Sequence, residues 1–187
     1  MLASAIGVAG GTGGIDPGKD GGITILDDDG KVVEVFKSPQ IGSEFDSHAM
    51  SLLIKKYWLD DNYKIIHVVL EDIHATHMGG NTSSFTMGEG KGLWRGILTA
   101  LELPFSLINP KEWQKRIWIN TLKQYKKSES GKTDVIDTKK TSLLTCKHLF
   151  PTQNLLATSR SKIPHDGIID SLLIAYYCFL MNKGKLD

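Results

Sequence analysis

Cysteine is scarce: the 187 residues contain two, Cys146 and Cys178, both inside apolar, helix-like patterns. That excludes a disulfide-stapled secreted scaffold and fits reduced thiols in an intracellular protein. No apolar run is long enough to span a bilayer, so no membrane partner is expected. Met1–Gly14 carries no basic residue, which makes it a poor secretory or organellar leader. The expected location is the cytoplasm of a bacterial or phage-infected cell, with an organelle left open. No internal repeat is present. Aromatic residues make up only 8%, but 41% of the chain is hydrophobic, enough to fill the core of one domain over 1–187.

Net charge is +1, but the charges are not evenly spread. Residues 1–110 hold 8 Lys/Arg against 14 Asp/Glu, a balance of −6; residues 111–162 hold 12 against 4, a balance of +8. Residues 163–187 return to −1. A basic block between two acidic ones is a footprint for phosphate. Its polar, lysine-rich parts near 123–136 and 152–163 read as flexible segments.

Glycine is abundant near the N-terminus, with five between Gly7 and Gly14. Two nucleotide-binding motifs fail there. Gly13 to Lys19 has the Gly-x-x-x-x-Gly-Lys spacing, but Asp20 stands where a Ser or Thr is needed, and Pro17 removes a backbone donor. No Gly-x-Gly-x-x-Gly opens a helix. The better reading is a strand ending near Asp16, then a hairpin of Gly22–Leu26 and Lys31–Phe36 about the turn Asp27–Gly30. The acids Asp27, Asp28 and Asp29 are turn residues in this reading.

Ser43 or Asp46 caps a helix bearing Phe45, Ala49, Leu52, Leu53 and Tyr57. Lys64–Glu71 is a buried strand, and alternation sends Glu71 and Asp72 to opposite faces. Residues 73–90 read as a mobile loop, in which His74 and His77 are weak metal-ligand candidates. A helix over Gly90–Leu103, a strand over Phe105–Asn109 and a helix begun by Pro110 follow. Asp137 caps a further helix that Pro151 ends. His165–Leu180 is a last helix, with Asp166 and Asp170 on one face of its start. The order predicts an α/β fold with a mixed five-stranded sheet, three antiparallel strands followed by strand–helix alternation, flanked by helices.

Asp16 and Glu71 end strands, and Asp166 and Asp170 begin a helix. If the strands are neighbours and the helix crosses their ends, four carboxylates share one place and require compensation. Magnesium, a hard cation that takes oxygen ligands, supplies it. Two such ions about 4 Å apart suit phosphodiester hydrolysis.

Gly14-Ile-Asp-Pro-Gly18, Leu70-Glu-Asp72 and His165-Asp-Gly-Ile-Ile-Asp-Ser-Leu-Leu-Ile-Ala175 together resemble the RuvC-type Holliday junction resolvases. Gly88-Glu-Gly-Lys-Gly-Leu-Trp-Arg-Gly-Ile-Leu98 resembles a helix of the phage and chloroplast branch, and the four-residue spacing of Asp166 and Asp170 resembles that of the chloroplast branch. The resemblance implies a ribonuclease-H-like (RNase H-like) fold, a homodimer, and paired nicks across a four-way DNA junction that depend on two Mg2+ ions, with Mn2+ as substitute. It assigns the metal-binding acids to Asp16, Glu71, Asp166 and Asp170, and an active-site lysine to Lys139. The glycines before Asp16 depart from the apolar first strand of the family.

Phe85, the one aromatic of the 73–90 segment, is expected to stack on an unpaired base. Lys91, Lys126, Lys127, Lys132 and Lys140 are the expected phosphate contacts. The helix carrying Gly92, Trp94 and Gly96 is the expected dimer face. Two other readings stay open: the same fold cutting RNA–DNA hybrids or transposon ends, and a junction-binding protein without catalysis.

Overall fold

The computed structural model describes residues 10–59, 64–74, 80–128 and 130–186. Strands β1 (Gly11–Asp16), β2 (Gly22–Leu26) and β3 (Val32–Lys37) form an antiparallel meander. Asp27 makes its second turn: one carboxylate oxygen accepts from the N–H groups of Asp29 and Lys31 at 3.0 and 2.8 Å. The three clustered aspartates are therefore a hairpin tip.

A short hairpin, β4 (Gln40–Ile41) with β5 (Glu44–Phe45), was not legible in the sequence. Asp46 then caps α1 (Ser47–Trp58), accepting from the Ala49 N–H at 2.9 Å. Strand β6 (Ile65–Glu71), helix α2 (Asn81–Ala100) and strand β7 (Phe105–Ile108) extend the sheet by two parallel additions. The five-stranded mixed sheet runs β3-β2-β1-β6-β7. Pro110 opens α3 (Pro110–Ile117), Asp137 caps α4 (Thr138–Leu149), and α5 (Asp166–Asn182) closes the chain.

Strand alternation divides the core into two layers. Ile15, Ile23, Ile25, Val68 and Leu70 face α1 and α2, packing with Met50, Ile54, Trp94 and Leu98. Leu26 and Val69 face the other way, toward Trp113, Ile117, Cys146 and the apolar side of α5. Both cysteines are buried free thiols, and burial pushes each up to about 12.

The glycines of β1 have a packing role. A Cβ at Gly14 would fall on the backbone of Ala175 and Ser171, and one at Gly167 on the backbone of Asp20 and Gly21. Helix α5 thus rests main chain against main chain on β1 and the turn before β2, a contact an apolar strand would forbid. Gly14→Ala is expected to lower stability by about 1–3 kcal/mol, because the backbone atoms it meets cannot rotate away. Gly88→Ala on α2, where an added Cβ meets nothing within 4 Å, is the control. It should be neutral or stabilising by up to about 1 kcal/mol. Thermal melting of the two variants checks this.

Two expectations about loops need correction. Helix α2 begins at Asn81 rather than Gly90, so residues 81–89 are helical rather than loop. Residues 82–89 are exposed or half-buried and need no apolar period, which hides the helix. His77 lies outside the described residues. The segment 125–133 is not an irregular excursion: β8 (Tyr125–Lys127) pairs with β9 (Asp134–Ile136) about a turn in which Gly131 has φ 70°. Their short strands, exposed apart from half-buried Ile136, carry no binary pattern to read. The 152–163 segment contains turns and no helix or strand.

Candidate active site

Parallel pairing of β1 with β6 ends at Ile15 and Leu70, so Asp16 and Glu71 stand one step further, at adjacent strand ends. Ile15 and Leu70 point toward α1 and α2, and Asp16 and Glu71 therefore point toward α5. The glycine contacts lay the first turns of α5 over those strand ends, which delivers Asp170 and Asp166 to the same place. Alternation sends Asp72 the other way, where it pairs with Lys91 of α2 and with His74 at 3.2 Å.

The electrostatics record how close the four acids are. Asp16 is raised to about 6, first by burial, then by Asp166 and Asp20, against a lowering hydrogen bond from the Gly18 N–H. Asp170 is raised to about 7, by burial and then by Asp16 and Asp166, while Ser142 and Lys139 act to lower it. Glu71 is raised to about 8, by burial and then by Asp16 and Asp170. Asp166, more exposed, is matched by the Lys139 ammonium at 2.6 Å, which in turn holds Lys139 above its ordinary value.

Tertiary structure adds positioning residues that periodicity could not supply. The Trp113 indole N–H donates to Glu71 Oε1 at 2.7 Å, inside the core. Trp118, edge-on to Trp113 at 6.3 Å, donates to the Ser142 hydroxyl at 3.2 Å, and Ser142 in turn faces Asp170. The legible signal was two tryptophans in an otherwise polar helix and at its end, since a buried indole N–H needs an acceptor. Trp113→Phe keeps the ring and removes the donor. Outer-shell losses of this kind cost about 10–100-fold in metal affinity or activity. That drop is expected in Mn2+ affinity by calorimetry, with near-native circular dichroism.

The expected DNA contacts occupy different settings. Phe85 projects from α2 with 73% exposure. Lys126 and Lys132 are exposed on the β8–β9 hairpin and have no acidic partner among the described residues. Lys127 is tied to Asp134 at 2.9 Å, and exposed Lys140 lies 4.0 Å from the cap Asp137. Lys91 is not a free cation: paired with Asp72, it also donates to the Ile73 carbonyl at 3.2 Å. Gly92 and Gly96 lie on the exposed side of α2, whereas Trp94 is fully buried against the sheet and unavailable to a partner.

The site does not form a ready-made ligand cage. Among the described residues no three His, Cys, Asp or Glu side chains have the arrangement to hold a metal ion. The donor set nevertheless fits a hard divalent cation. It consists of carboxylates that raise one another's pKa, and Asp170 Oδ1 is buried without any hydrogen-bond partner.

No protein-family model and no curated protein matches the sequence. Among solved structures, the chain is similar to Thermus thermophilus RuvC in complex with a Holliday junction substrate. That likeness covers 95% of this chain and 98% of that one, with TM-score 0.56 and 11% identity. A second structure of Thermus thermophilus RuvC gives the same coverage, TM-score 0.55 and 15% identity. No helix among the described residues is long and apolar enough to cross a membrane. The element order, the mixed five-stranded sheet and these likenesses agree: the chain has the RNase H-like fold of RuvC.

Proposed function

We propose that this protein is a divalent-cation-dependent endodeoxyribonuclease that resolves four-way DNA junctions as a homodimer inside the cell. The observation that carries the reading is the convergence of Asp16, Glu71, Asp170 and Asp166, acids from two adjacent strand ends and one helix start. Mutually destabilised carboxylates, in a chain whose 111–162 segment is basic, suit a site that collects cations and then a phosphodiester. The resolved junction is the substrate of this proposal because the fold is that of RuvC, one structure of which holds a Holliday junction.

In this reading Asp16, Glu71, Asp170 and Asp166 hold Mg2+ or Mn2+. When bound, the ions supply an activated water and charge stabilisation at the leaving oxygen. Trp113 fixes the orientation of Glu71, and Lys139 keeps Asp166 paired and within reach of a strand's phosphate. Phe85 on α2 offers its ring to an unpaired base, and Lys126, Lys132 and Lys140 engage the backbone without reading sequence. Lys127 joins them once released from Asp134. Gly92 and Gly96 border a shallow depression on α2 that suits close approach of a second copy. Two symmetric nicks require two such sites. The glycine-rich helix motif and the four-residue spacing of Asp166 and Asp170 support placement near the phage and chloroplast branch.

A cleavage assay with magnesium on a mobile four-way junction, a duplex and an RNA–DNA hybrid tests the reading. Paired nicks confined to the junction are expected. Preference for the hybrid would transfer the site to hybrid cleavage, and binding without cleavage of any substrate would make the protein a junction binder.

A further inference from the structure

Apart from the four acids lies a second feature that the function above does not use. Lys111 and Lys115 stand four apart on α3, Lys123 follows the short helical turn Asn120–Leu122, and all three line one cavity of about 380 Å3. None of the three has an acidic partner among the described residues, unlike Lys31, Lys37, Lys91, Lys127, Lys139 and Lys140. No carboxylate lines the cavity. Its remaining wall is Trp118 and Ile136, with the polar Gln114 on α3 and Thr138 at the first turn of α4. Cations on one side and an aromatic–aliphatic wall on the other match a nucleotide, phosphate toward the lysines and sugar and base toward the wall. The volume lies in the ordinary range for small-ligand sites, roughly 300–1,000 Å3.

The cavity is also tied to the acids. Thr138 precedes Lys139, the partner of Asp166. Trp118 donates to Ser142, the residue facing Asp170. We propose that this cavity is a nucleotide subsite, which seats one nucleotide of the strand being cut next to the scissile phosphate. The subsite rests on the junction-cutting reading for its ligand. It goes beyond that reading by assigning Lys111, Lys115 and Lys123 the task of placing the strand along the line of the acids.

The test is interference mapping in magnesium-free buffer. Junctions carrying one neutral methylphosphonate at each phosphate around the nick are titrated against wild type and against the triple variant Lys111→Gln, Lys115→Gln, Lys123→Gln. Wild type should lose about tenfold in affinity at one or two adjacent positions on one side of the nick. The triple variant should bind the all-phosphate junction with a shallower salt dependence, by about one power of salt concentration for each phosphate that a lysine no longer neutralises. It should also be indifferent to methylphosphonate at those same positions. The three side chains are on the protein surface, and single variants showing a share of the change provide the same readout if the triple does not fold. Unchanged salt dependence and an unchanged interference profile in folded variants would overturn the subsite and leave the nuclease reading standing. The lysine-dependent profile without magnesium-dependent nicking would overturn the nuclease reading, and with it the place of the subsite beside a scissile phosphate, and leave the cavity as a strand-seating site of a junction binder. Failure of wild type to bind any junction would overturn both.

Discussion

Asp170→Asn is expected to give a folded protein that binds four-way junctions at least as tightly as wild type and nicks them at least about 100-fold more slowly, beyond the 10–100-fold typical of an outer-shell loss. The side chain is held by a rigid helix seated on the sheet, so the substitution preserves shape and position. What it removes is one negative charge, from an oxygen pair that includes the unpartnered Oδ1. A charge that repels DNA phosphate is lost with it, which favours binding. Asp16→Asn and Glu71→Gln should behave alike, whereas Asp28→Asn, at the β2–β3 turn and so at the opposite end of β2 from Asp16, should cut at nearly the wild-type rate. Single-turnover cleavage beside anisotropy binding separates the two effects. Wild-type cleavage by Asp170→Asn would remove the four-acid site from the mechanism.

The second large effect concerns stability without divalent cations. Asp16, Asp170 and Glu71 are raised to about 6, 7 and 8 from ordinary values of 3.8, 3.8 and 4.5. A carboxyl raised in the folded state holds its proton there after the unfolded chain has released it. The folded state therefore binds more protons, and stability falls as pH rises through this window. Below about pH 3 both states are protonated and no penalty exists. Between about pH 4 and 8 the penalty accumulates, each tenfold difference in proton affinity between folded and unfolded chain being worth about 1.4 kcal/mol. In chelator, the melting temperature should fall by roughly 10 °C or more between pH 5 and pH 8, corresponding to several kcal/mol. The variant Asp16→Asn, Glu71→Gln, Asp170→Asn should be nearly flat over the same range. Magnesium at pH 8 should raise the wild-type melting temperature and leave the triple variant unmoved. Parallel curves for wild type and variant would show that the acids do not share a buried site.

Much of this arrangement is legible in the sequence. Strand alternation places Glu71 and Asp72 on opposite faces, and the structure gives one to α5 and the other to Lys91. Asp46, Pro110 and Asp137 mark helix starts through local chemistry that needs no tertiary information. Other features depend on contacts between distant segments. The glycines of β1 look like a departure from an apolar strand, because the reason for them is the backbone of α5, some 160 residues on. The bond from Trp113 to Glu71 spans 42 residues and follows no periodicity. Helix α2 looks shorter in the sequence than it is, because its first turns stand away from the core and carry no buried stripe. The 125–136 hairpin is hidden for a related reason: strands of three residues show almost no alternation.

The main-chain seat of α5 on β1 has a consequence for how such a site drifts over evolutionary time. Where a helix is held off a sheet by side chains, each change of volume in the layer between them shifts the helix. Here Gly14 and Gly167 leave no such layer near the acids, so the separation of Asp16 and Asp170 is set by two backbones in contact. Changes of side-chain volume further along α5 then cost packing energy there without resetting that separation. A descendant of this chain that kept Gly14, Gly167 and the acids could change many of its other residues and still present Asp16 and Asp170 at the same separation.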